Sequence, residues 1–380
     1  MRVMHIIAPG VLAGAERLVL AGCEALMERG VDVELVVIEE LRKPGLARAF
    51  VVEAELRGLR TTTLVSKGRF DLALMGLLVT CARTMDLVHV HGFKALVHAQ
   101  AMRALCPLVA TWHGDTATDA RVQRYERIGH FLSRRADRLI VVGRAAHRQA
   151  LSLGACATRT VICENFAPDV EQMLPTQRRA GRVPRLLFAG RLSEEKAPLV
   201  LLDALAASKV PFDVSIAGDG PLLERVKARV HELGLLSRVR VLGWSRDVGA
   251  LMEQHDVLVL PSLREGLPLV VLEAAARGMP VVASDVGSVS DVIVEGETGF
   301  LVPPGDFAAL RGALEAAAQS LDSLTGRALS LAPSMRHRFG RARWARETEE
   351  IYRDVIAPKH APSILENPLA GVRSLAGFWG

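Results

Sequence analysis

The sequence predicts an α/β protein made of two doubly wound domains, each built on a parallel sheet. Short apolar runs alternate with segments of helical spacing from the start of the chain, beginning with a strand–helix–strand unit at 3–38. The alternation stops in a polar, basic stretch with proline and glycine at 168–184, and it starts again at 185. A chain of 380 residues is long enough for two domains of ordinary size.

In the first half, apolar runs predict strands at 3–8, 31–38, 87–90, 108–111, 139–142 and 161–162. Helical spacing predicts helices at 15–29, 72–81 and 121–138, and the second of these is so apolar that we expect it to be buried. The turn after the first strand lacks a GxGxxG pattern, so an ordinary dinucleotide-binding site is not supported.

In the second half, the same patterns predict strands at 185–189, 212–217, 239–242, 257–260, 281–283 and 300–302. Helices are expected at 199–207, 222–233 and 344–355. The predicted division is a first domain at 1–168, a linker at 169–184, a second domain at 185–343, a closing helix at 344–356 that packs back towards the first domain, and a tail at 357–380.

Composition narrows the class of protein. The formal net charge is +5, which is too mild to suggest a nucleic-acid partner. Five cysteines without CxxC spacing favour reduced thiols in a cytosolic protein. The N-terminus lacks a signal-peptide pattern, and the longest apolar run is too short to span a bilayer. We therefore expect a cytoplasmic protein with at most a peripheral membrane contact. Such a contact would be at the inner face of the cell membrane.

The stretch 260–278 is the most informative segment, and it reads as a strand end, a tight loop and a helix. Gly266 frees the backbone of the loop, and Pro268 suits the first turn of a helix. A helix N-terminus attracts phosphate through its free N–H groups. Glu265 and Glu273 would repel a phosphate, but they can accept hydrogen bonds from hydroxyl groups beside it. Phosphate groups with hydroxyl groups beside them are found in nucleotide sugars, so the segment suggests a nucleotide-sugar site.

Four successive motifs of the second half resemble the retaining glycosyltransferases of family 4. They are GRLSEEKAP at 190–198, IAGDGP at 216–221, LPSLREGLPLVVLEAAARGMPVVAS at 260–284 and GETGFLVPPGD at 296–306. The first half shows a weaker likeness in AGAER at 13–17, HVHG at 89–92 and WHGD at 112–115. The resemblance implies the GT-B fold, in which two Rossmann-like domains face a central cleft.

The resemblance also implies roles for individual residues. Arg191 and Lys196 would hold the diphosphate, Glu265 the donor sugar and Glu273 the ribose, while His113 would face the sugar across the cleft. The expected catalytic residues are His113, Arg191, Lys196 and Glu265. The expected donor site contains Gly14, Gly190, Arg191, Lys196, Gly218, Gly220, Glu265, Gly266, Leu267 and Glu273. No metal and no cofactor beyond the donor substrate is expected.

Three positions depart from the family pattern, because Ala13, Phe166 and Ala197 stand where glycine is usual. Asn165 is expected at the domain junction with a structural role. We also expect His89 and His91 to point to opposite faces of their strand and so not to bind one metal ion. A helix rich in arginine, with Ile128, Phe131 and Leu132 between the cations, and the Phe378–Trp379 tail suggest contact with anionic lipid.

These observations predict a retaining glycosyltransferase that moves a sugar from a nucleoside diphosphate sugar to a hydroxyl group. The acceptor would be a saccharide, a glycolipid or another small molecule in cell-surface glycan biosynthesis. Two alternatives stay open at this point: a nucleotide-sugar epimerase or hydrolase on the same fold, and a non-catalytic regulator that binds nucleotide sugars.

Overall fold

The structure, a computed structural model, describes residues 1–10, 14–42, 44–68, 70–114, 120–167 and 182–357, without side chains at 120–125. Most of the expected linker and the tail beyond 357 lie outside the described residues. The described part contains two parallel sheets with helices on both faces, as the alternating pattern predicts.

The first sheet has seven parallel strands in the order β3-β2-β1-β4-β5-β6-β7. These are β1 (Arg2–Ile7), β2 (Asp32–Glu40), β3 (Arg60–Ser66), β4 (Leu87–His91), β5 (Leu108–Trp112), β6 (Arg138–Val141) and β7 (Thr160–Ile162). The helices are α1 (Gly14–Glu28), α2 (Arg48–Leu56), α3 (Leu72–Ala82), α4 (Phe93–Ala99), α5 (Ala120–Ser133) and α6 (Arg144–Ser152). The strand order reverses between β1 and β4, where open sheets of this type form a ligand crevice.

The second sheet has six parallel strands in the order β10-β9-β8-β11-β12-β13. These are β8 (Arg185–Ala189), β9 (Asp213–Ala217), β10 (Val239–Gly243), β11 (Val257–Leu260), β12 (Val281–Ser284) and β13 (Gly299–Val302). Its helices are α7 (Pro198–Ala207), α8 (Leu223–Glu232), α9 (Val248–Glu253), α10 (Leu269–Arg277), α11 (Phe307–Gln319) and α12 (Leu321–Arg338). The order again reverses, between β8 and β11, so the crevice of this sheet opens beside the β11–α10 loop.

The last described helix, α13 (Arg341–Ile356), crosses back and packs against α1 of the first sheet. The Trp344 ring lies 5.0 Å from the Phe166 ring, centroid to centroid. A Cβ atom at Gly22 would lie 2.6 Å from the Trp344 ring, so α1 leaves room for the indole only because glycine stands there. Glu349 bonds Arg29 of the α1 end at 2.6 Å. Helix α13 is therefore part of the hydrophobic core of the first half.

Helix α3 is not buried, so the expectation of a buried helix at 72–81 was wrong. Leu74 and Leu78 pack into the core, but Leu72 is 81% exposed and Leu77 is 52% exposed. A helix that is apolar on every side does not indicate in its sequence which face is covered. None of the helices in the described ranges has the length and apolar content that a bilayer crossing requires.

Candidate active site between the two sheets

Two backbone segments, one from each half of the chain, touch at the site. A Cβ atom on Gly266, in the β11–α10 loop, would lie 2.1 Å from the carbonyl oxygen of His113. A Cβ atom on Gly114 would lie 2.7 Å from the Cα of Gly266. Glycine at both positions thus allows the segment after β5 to rest directly on the β11–α10 loop. This contact places His113 next to Glu265.

The β11–α10 loop is also held from other directions. Asn165 Nδ2 donates to the carbonyl oxygen of Leu267 at 3.0 Å, and the Leu267 side chain is buried. The backbone N–H of Ser288 donates to the carbonyl oxygen of Gly266 at 2.8 Å. Asn165 therefore lies at the junction of the two halves, as expected. These hydrogen bonds hold the backbone of the loop in place and so position its side chains.

Lys196 and Glu265 form an ion pair at the centre of the site. Lys196 Nζ lies 2.6 Å from Glu265 Oε1 and 2.8 Å from Oε2. Ser262 Oγ donates to Glu265 Oε1 at 2.7 Å. The Glu265 side chain is 4% exposed and that of Lys196 is 20% exposed. An ammonium group has three N–H donors, so the third donor of Lys196 remains for another acceptor.

Arg191 lies on the same loop as Lys196 and is exposed. Within the described part of the chain, its guanidinium group has no hydrogen bond or ion pair. A planar guanidinium with five donors suits a phosphate oxygen, which it can bind through two parallel hydrogen bonds. Arg191 is thus available to an anionic ligand that enters the crevice.

Gly190, Gly218 and Gly220 shape the Arg191 loop through close backbone contacts. A Cβ atom on Gly218 would lie 1.8 Å from the Gly190 carbonyl oxygen, and one on Gly220 would lie 2.4 Å from the Leu192 carbonyl oxygen. The β9–α8 turn therefore rests against the β8–α7 loop. This packing explains the two glycines of the GDG turn without any contact to a ligand.

The N-termini of two helices lie close together at the site. A Cβ atom on Gly14, the first residue of α1, would lie 3.5 Å from Leu269 Cδ1 at the start of α10. Both helices place backbone N–H groups of their first turn and the positive end of their dipoles in this region. Glu273 lies one turn further along α10 and is half-buried. The arrangement favours a ligand with negative charge near the two helix starts and hydroxyl groups beyond them.

His113 is uncharged at neutral pH, because burial lowers the pKa of its imidazole to about 4. Its Nε2 atom is buried and has no hydrogen-bond partner among the described residues. A neutral imidazole has one N–H and one lone pair. His113 can therefore donate or accept one hydrogen bond at the cleft, but it does not supply a positive charge.

Behind His113 lies a cluster of buried histidines that overturns one expectation. The rings of His89 and His91 lie 4.2 Å apart, and both lie close to the ring of His5. The prediction that His89 and His91 point to opposite faces was wrong, because side chains two positions apart on a strand lie on the same face.

The three histidines of this cluster could each offer a ring nitrogen to one metal ion, since these atoms lie within 4.8 Å of one another. Hydrogen bonds already use five of their six ring nitrogens. They join the histidines to one another, to Tyr352 and to Thr111. None of the charges that shift the pKa values of His89 and His91 is a carboxylate that could balance a buried cation. The cluster is therefore better described as a hydrogen-bonded network than as a metal centre.

An open cavity of about 530 Å³ lies beside Glu265. Its polar lining comes from α5, α6 and the β11–α10 loop: Glu126, Arg127, His130, Gln149, Arg264 and Glu265. Of these residues only Glu265 was predicted as part of a site. Arg264 is its neighbour in the loop, whereas the other residues come from α5 and α6, and no spacing in the sequence indicates that these helices meet the loop.

Comparison with known proteins agrees with this geometry. The family model described as Glycosyltransferase Family 4 matches residues 12–168, and the one described as Glycosyl transferases group 1 matches residues 170–323. The phosphatidyl-myo-inositol mannosyltransferase of Mycobacterium leprae is 35% identical over 61% of this chain and 63% of that protein. The UDP-Gal:alpha-D-GlcNAc-diphosphoundecaprenol alpha-1,3-galactosyltransferase of Escherichia coli is 26% identical over 82% of this chain and 87% of that protein.

Among solved structures, HepE from Anabaena in complex with UDP and glucose superimposes with a TM-score of 0.79 at 22% identity. The match covers 93% of this chain and 100% of that one. The likeness confirms the expected GT-B fold, with two Rossmann-like domains. The two family models match successive halves and together cover most of the chain. The chain therefore belongs to the family 4 glycosyltransferases.

Proposed function

We propose that this protein transfers a sugar from a nucleoside diphosphate sugar to a hydroxyl group, with retention of configuration at the anomeric carbon. The observation that carries the proposal is the ion pair between Lys196 and Glu265, which faces His113 across the junction of the two halves. It combines a cation for phosphate with a carboxylate for sugar hydroxyls at one point. The proposed division into domains at 1–168 and 185–343 assigns the donor mainly to the second.

The diphosphate would bind at Arg191, at the third N–H of Lys196 and at the amides of Gly266 and Leu267. Because Lys196 neutralises Glu265, a phosphate can approach without repulsion from the carboxylate. Glu265 would accept hydrogen bonds from the sugar hydroxyls, and Glu273 from the ribose. Gly14 would bring the start of α1 to the donor from the opposite side. Gly190, Gly218 and Gly220 would hold the loop in place.

The bond between sugar and phosphate breaks as negative charge grows on the diphosphate. Fixed cations placed at that charge stabilise the transition state more than the ground state. Arg191 and Lys196 would supply this stabilisation without a metal ion. Neutral His113 would hold the donor sugar in position by a hydrogen bond. Retention follows from the resemblance to the family, in which the departing phosphate helps to deprotonate the acceptor.

The cavity beside Glu265 would take the acceptor, because it adjoins the proposed sugar position and is lined by polar groups from α5 and α6. A saccharide, a glycolipid or another hydroxyl compound of cell-surface glycan biosynthesis fits this lining. Acceptors carried on lipid agree with the names of the two curated relatives above. On α5, Ile128 is 41% exposed and Phe131 is 54% exposed beside Arg134 and Arg135, which suits peripheral contact with anionic lipid.

All five cysteines are free thiols, which agrees with a cytoplasmic location at or near the inner face of the membrane. Co-sedimentation with vesicles of neutral and anionic lipid tests the membrane contact. Binding that increases with anionic lipid, and that falls when Phe131 is changed to Ser, supports it. Binding to neither type of vesicle removes it.

The enzymatic proposal is tested by following a nucleotide sugar by NMR with and without candidate acceptors. Thermal-shift screening of UDP-, GDP- and ADP-sugars first selects the donor. Transfer predicts a product whose anomeric configuration matches that of the donor and which forms only with an acceptor. Consumption of the donor alone would favour an epimerase or hydrolase. Binding without any product would favour a regulator.

A further inference from the structure

The buried histidine network of β1 and β4 runs from helix α13 to the edge of the proposed site. The Tyr352 hydroxyl contacts His89 Nδ1 at 2.5 Å and His5 Nε2 at 3.2 Å. His5 Nδ1 lies 2.9 Å from His91 Nε2, and His89 Nε2 lies 2.7 Å from Thr111 Oγ1. Each contact is a hydrogen bond whose direction depends on which nitrogen of the ring carries the proton.

With all rings neutral, only two proton arrangements satisfy every contact of this network and also use the Tyr352 hydroxyl proton within it. If Tyr352 donates to His89, then His5 donates through Nε2 to Tyr352, and His91 donates through Nε2 to His5. The Nδ1 atom of His91 is then a bare acceptor. If Tyr352 donates to His5, every bond reverses and His91 Nδ1 carries a proton. Burial lowers the pKa values of all three histidines, which keeps the rings neutral.

The network ends at His91 Nδ1, which is buried and has no partner among the described residues. His113 Nε2 is likewise buried and has no hydrogen-bond partner among the described residues. The two rings lie 5.9 Å apart, centroid to centroid, and both line one small cavity. This cavity offers about 10 Å³ to the centre of a water molecule, which is close to the least that one water requires. Thr111 and Asn165 add polar groups to its wall.

We propose that His91 is a positioning residue, which holds the His113 imidazole in place through one trapped water molecule. Two buried nitrogens without a partner beside one small cavity are costly, and a single bridging water would satisfy both. Tyr352 fixes the direction of the hydrogen bonds that lead to His91. The inference rests on the proposed role of His113 at the donor sugar.

Two substitutions of His91 separate the cavity contact from the rest of the network. The amide of Asn lies near the position of imidazole Nδ1, whereas the amide of Gln lies near that of Nε2. His91→Asn keeps a polar group on the cavity and loses the bond to His5. His91→Gln keeps the bond to His5 and removes the cavity contact. The matched control is His98→Gln, at a buried histidine of α4 whose Nδ1 bonds the Lys94 carbonyl oxygen.

The experiment measures kcat and donor KM of the full chain and records ¹⁵N NMR of its histidine imidazoles. We expect His91→Gln to lower kcat about tenfold, as the loss of one ordinary hydrogen bond allows, with donor KM changed by less than about threefold. The His113 imidazole should change from one tautomer to a mixture. His91→Asn should retain kcat within about threefold of the wild type and a single His113 tautomer, and His98→Gln should change neither.

Equal losses in both His91 variants, or an unchanged His113 signal in His91→Gln, would overturn the inference. Melting temperatures of the variants distinguish misfolding of the protein from displacement of the His113 imidazole. The NMR signal of His113 can be recorded without any turnover of substrate. Failure of the proposed function gives a different result. In that case the wild type would form no transfer product with any acceptor, while His91→Gln would still alter the His113 signal.

Discussion

Lys196 contacts both carboxylate oxygens of Glu265, although the two residues are 69 positions apart in the sequence. The pair joins the β8–α7 loop, which carries Arg191, to the β11–α10 loop, which rests on His113. It therefore fixes the spacing between the proposed phosphate site and the proposed sugar site. It also removes the repulsion that a buried carboxylate would exert on a diphosphate.

The first prediction concerns the stability of this pair. Lys196→Met leaves the Glu265 carboxylate buried without its partner, so the free energy of unfolding should fall by about 3 kcal/mol. Lys196→Met combined with Glu265→Leu should recover most of this loss, because no buried charge remains. Urea denaturation measures both effects. Lys227→Met serves as the control, since the partner Glu224 is 82% exposed and little change is expected. A double variant whose loss equals or exceeds that of Lys196→Met would contradict the prediction.

Ala197, next to Lys196, provides a second prediction. Its φ of 48° and ψ of 48° lie in the left-handed region, and it is the only non-glycine residue of the described chain with positive φ. The methyl group costs about 1 kcal/mol in this conformation, whereas glycine adopts it freely. Ala197→Gly should therefore raise the free energy of unfolding by up to about 1 kcal/mol.

The control for Ala197→Gly is a substitution that should change the free energy of unfolding in the opposite direction. Ala206→Gly, on the exposed face of α7, should lower the free energy of unfolding by about 1 kcal/mol. Urea denaturation of both variants compares the two effects under one condition. If Ala197→Gly destabilises the protein as much as Ala206→Gly does, the left-handed conformation carries no strain.

The close contact of Gly266 with His113 predicts a loss of activity without unfolding. In Gly266→Ala, the new methyl group would lie 2.1 Å from a backbone oxygen, so the two loops must separate. A displacement of about 1 Å at reacting groups can cost roughly 100-fold in rate. We expect a loss of that order in kcat at nearly unchanged melting temperature. Gly312→Ala, where no atom lies within 4 Å, is the control. Wild-type kcat in Gly266→Ala would show that the contact is dispensable.

The buried histidines predict how stability depends on pH. Burial lowers the pKa of His5 to about 3 and that of His113 to about 4. Unfolding returns both rings to an ordinary pKa of about 6.5, so the unfolded chain binds more protons below that pH. Stability should be complete above about pH 7 and should decrease as the pH falls from about 6.5 towards the lowered values.

Urea denaturation between pH 5 and pH 8 measures this dependence. Each histidine contributes up to about 1.4 kcal/mol per pH unit, so His5→Gln should reduce the slope by about that amount. The lowered pKa values of Asp71 and Glu349 act only below this range. A free energy of unfolding that stays constant down to pH 5 would contradict the neutral, buried state of these rings.

Every described strand except β3 could be predicted because buried parallel strands are short, continuous apolar runs. Strand β3, RTTTLVS, was missed because it is largely polar and only partly buried at the edge of its sheet. Six helices were not predicted: α2, α4, α6, α9, α11 and α12. In α6, for example, the buried face consists only of Ala146 and Ala150, which give a weak periodic signal. The domain boundaries stay predictions. Their linker lies mostly outside the described residues.

The site could be predicted only where its residues lie in one motif. The sequence indicated Arg191, Lys196 and Glu265 as site residues, but it could not show that Lys196 binds Glu265. The histidine network was also hidden, because His5, His89 and Tyr352 come from β1, β4 and α13. Only the order of the strands in the sheet and the packing of α13 bring such distant positions together.

The most direct test of the account is the affinity of the full chain for its nucleoside diphosphate sugar, measured by calorimetry with and without the Arg191 guanidinium. The account predicts that one of the UDP-, GDP- and ADP-sugars binds, and that Arg191→Ala weakens binding by about tenfold to 100-fold, the value of a charge-assisted hydrogen bond. Arg225→Ala, which removes an exposed arginine of α8, should leave the affinity unchanged. Equal affinity in the wild type and Arg191→Ala, or no binding of any of the three donors, would contradict the proposed donor site.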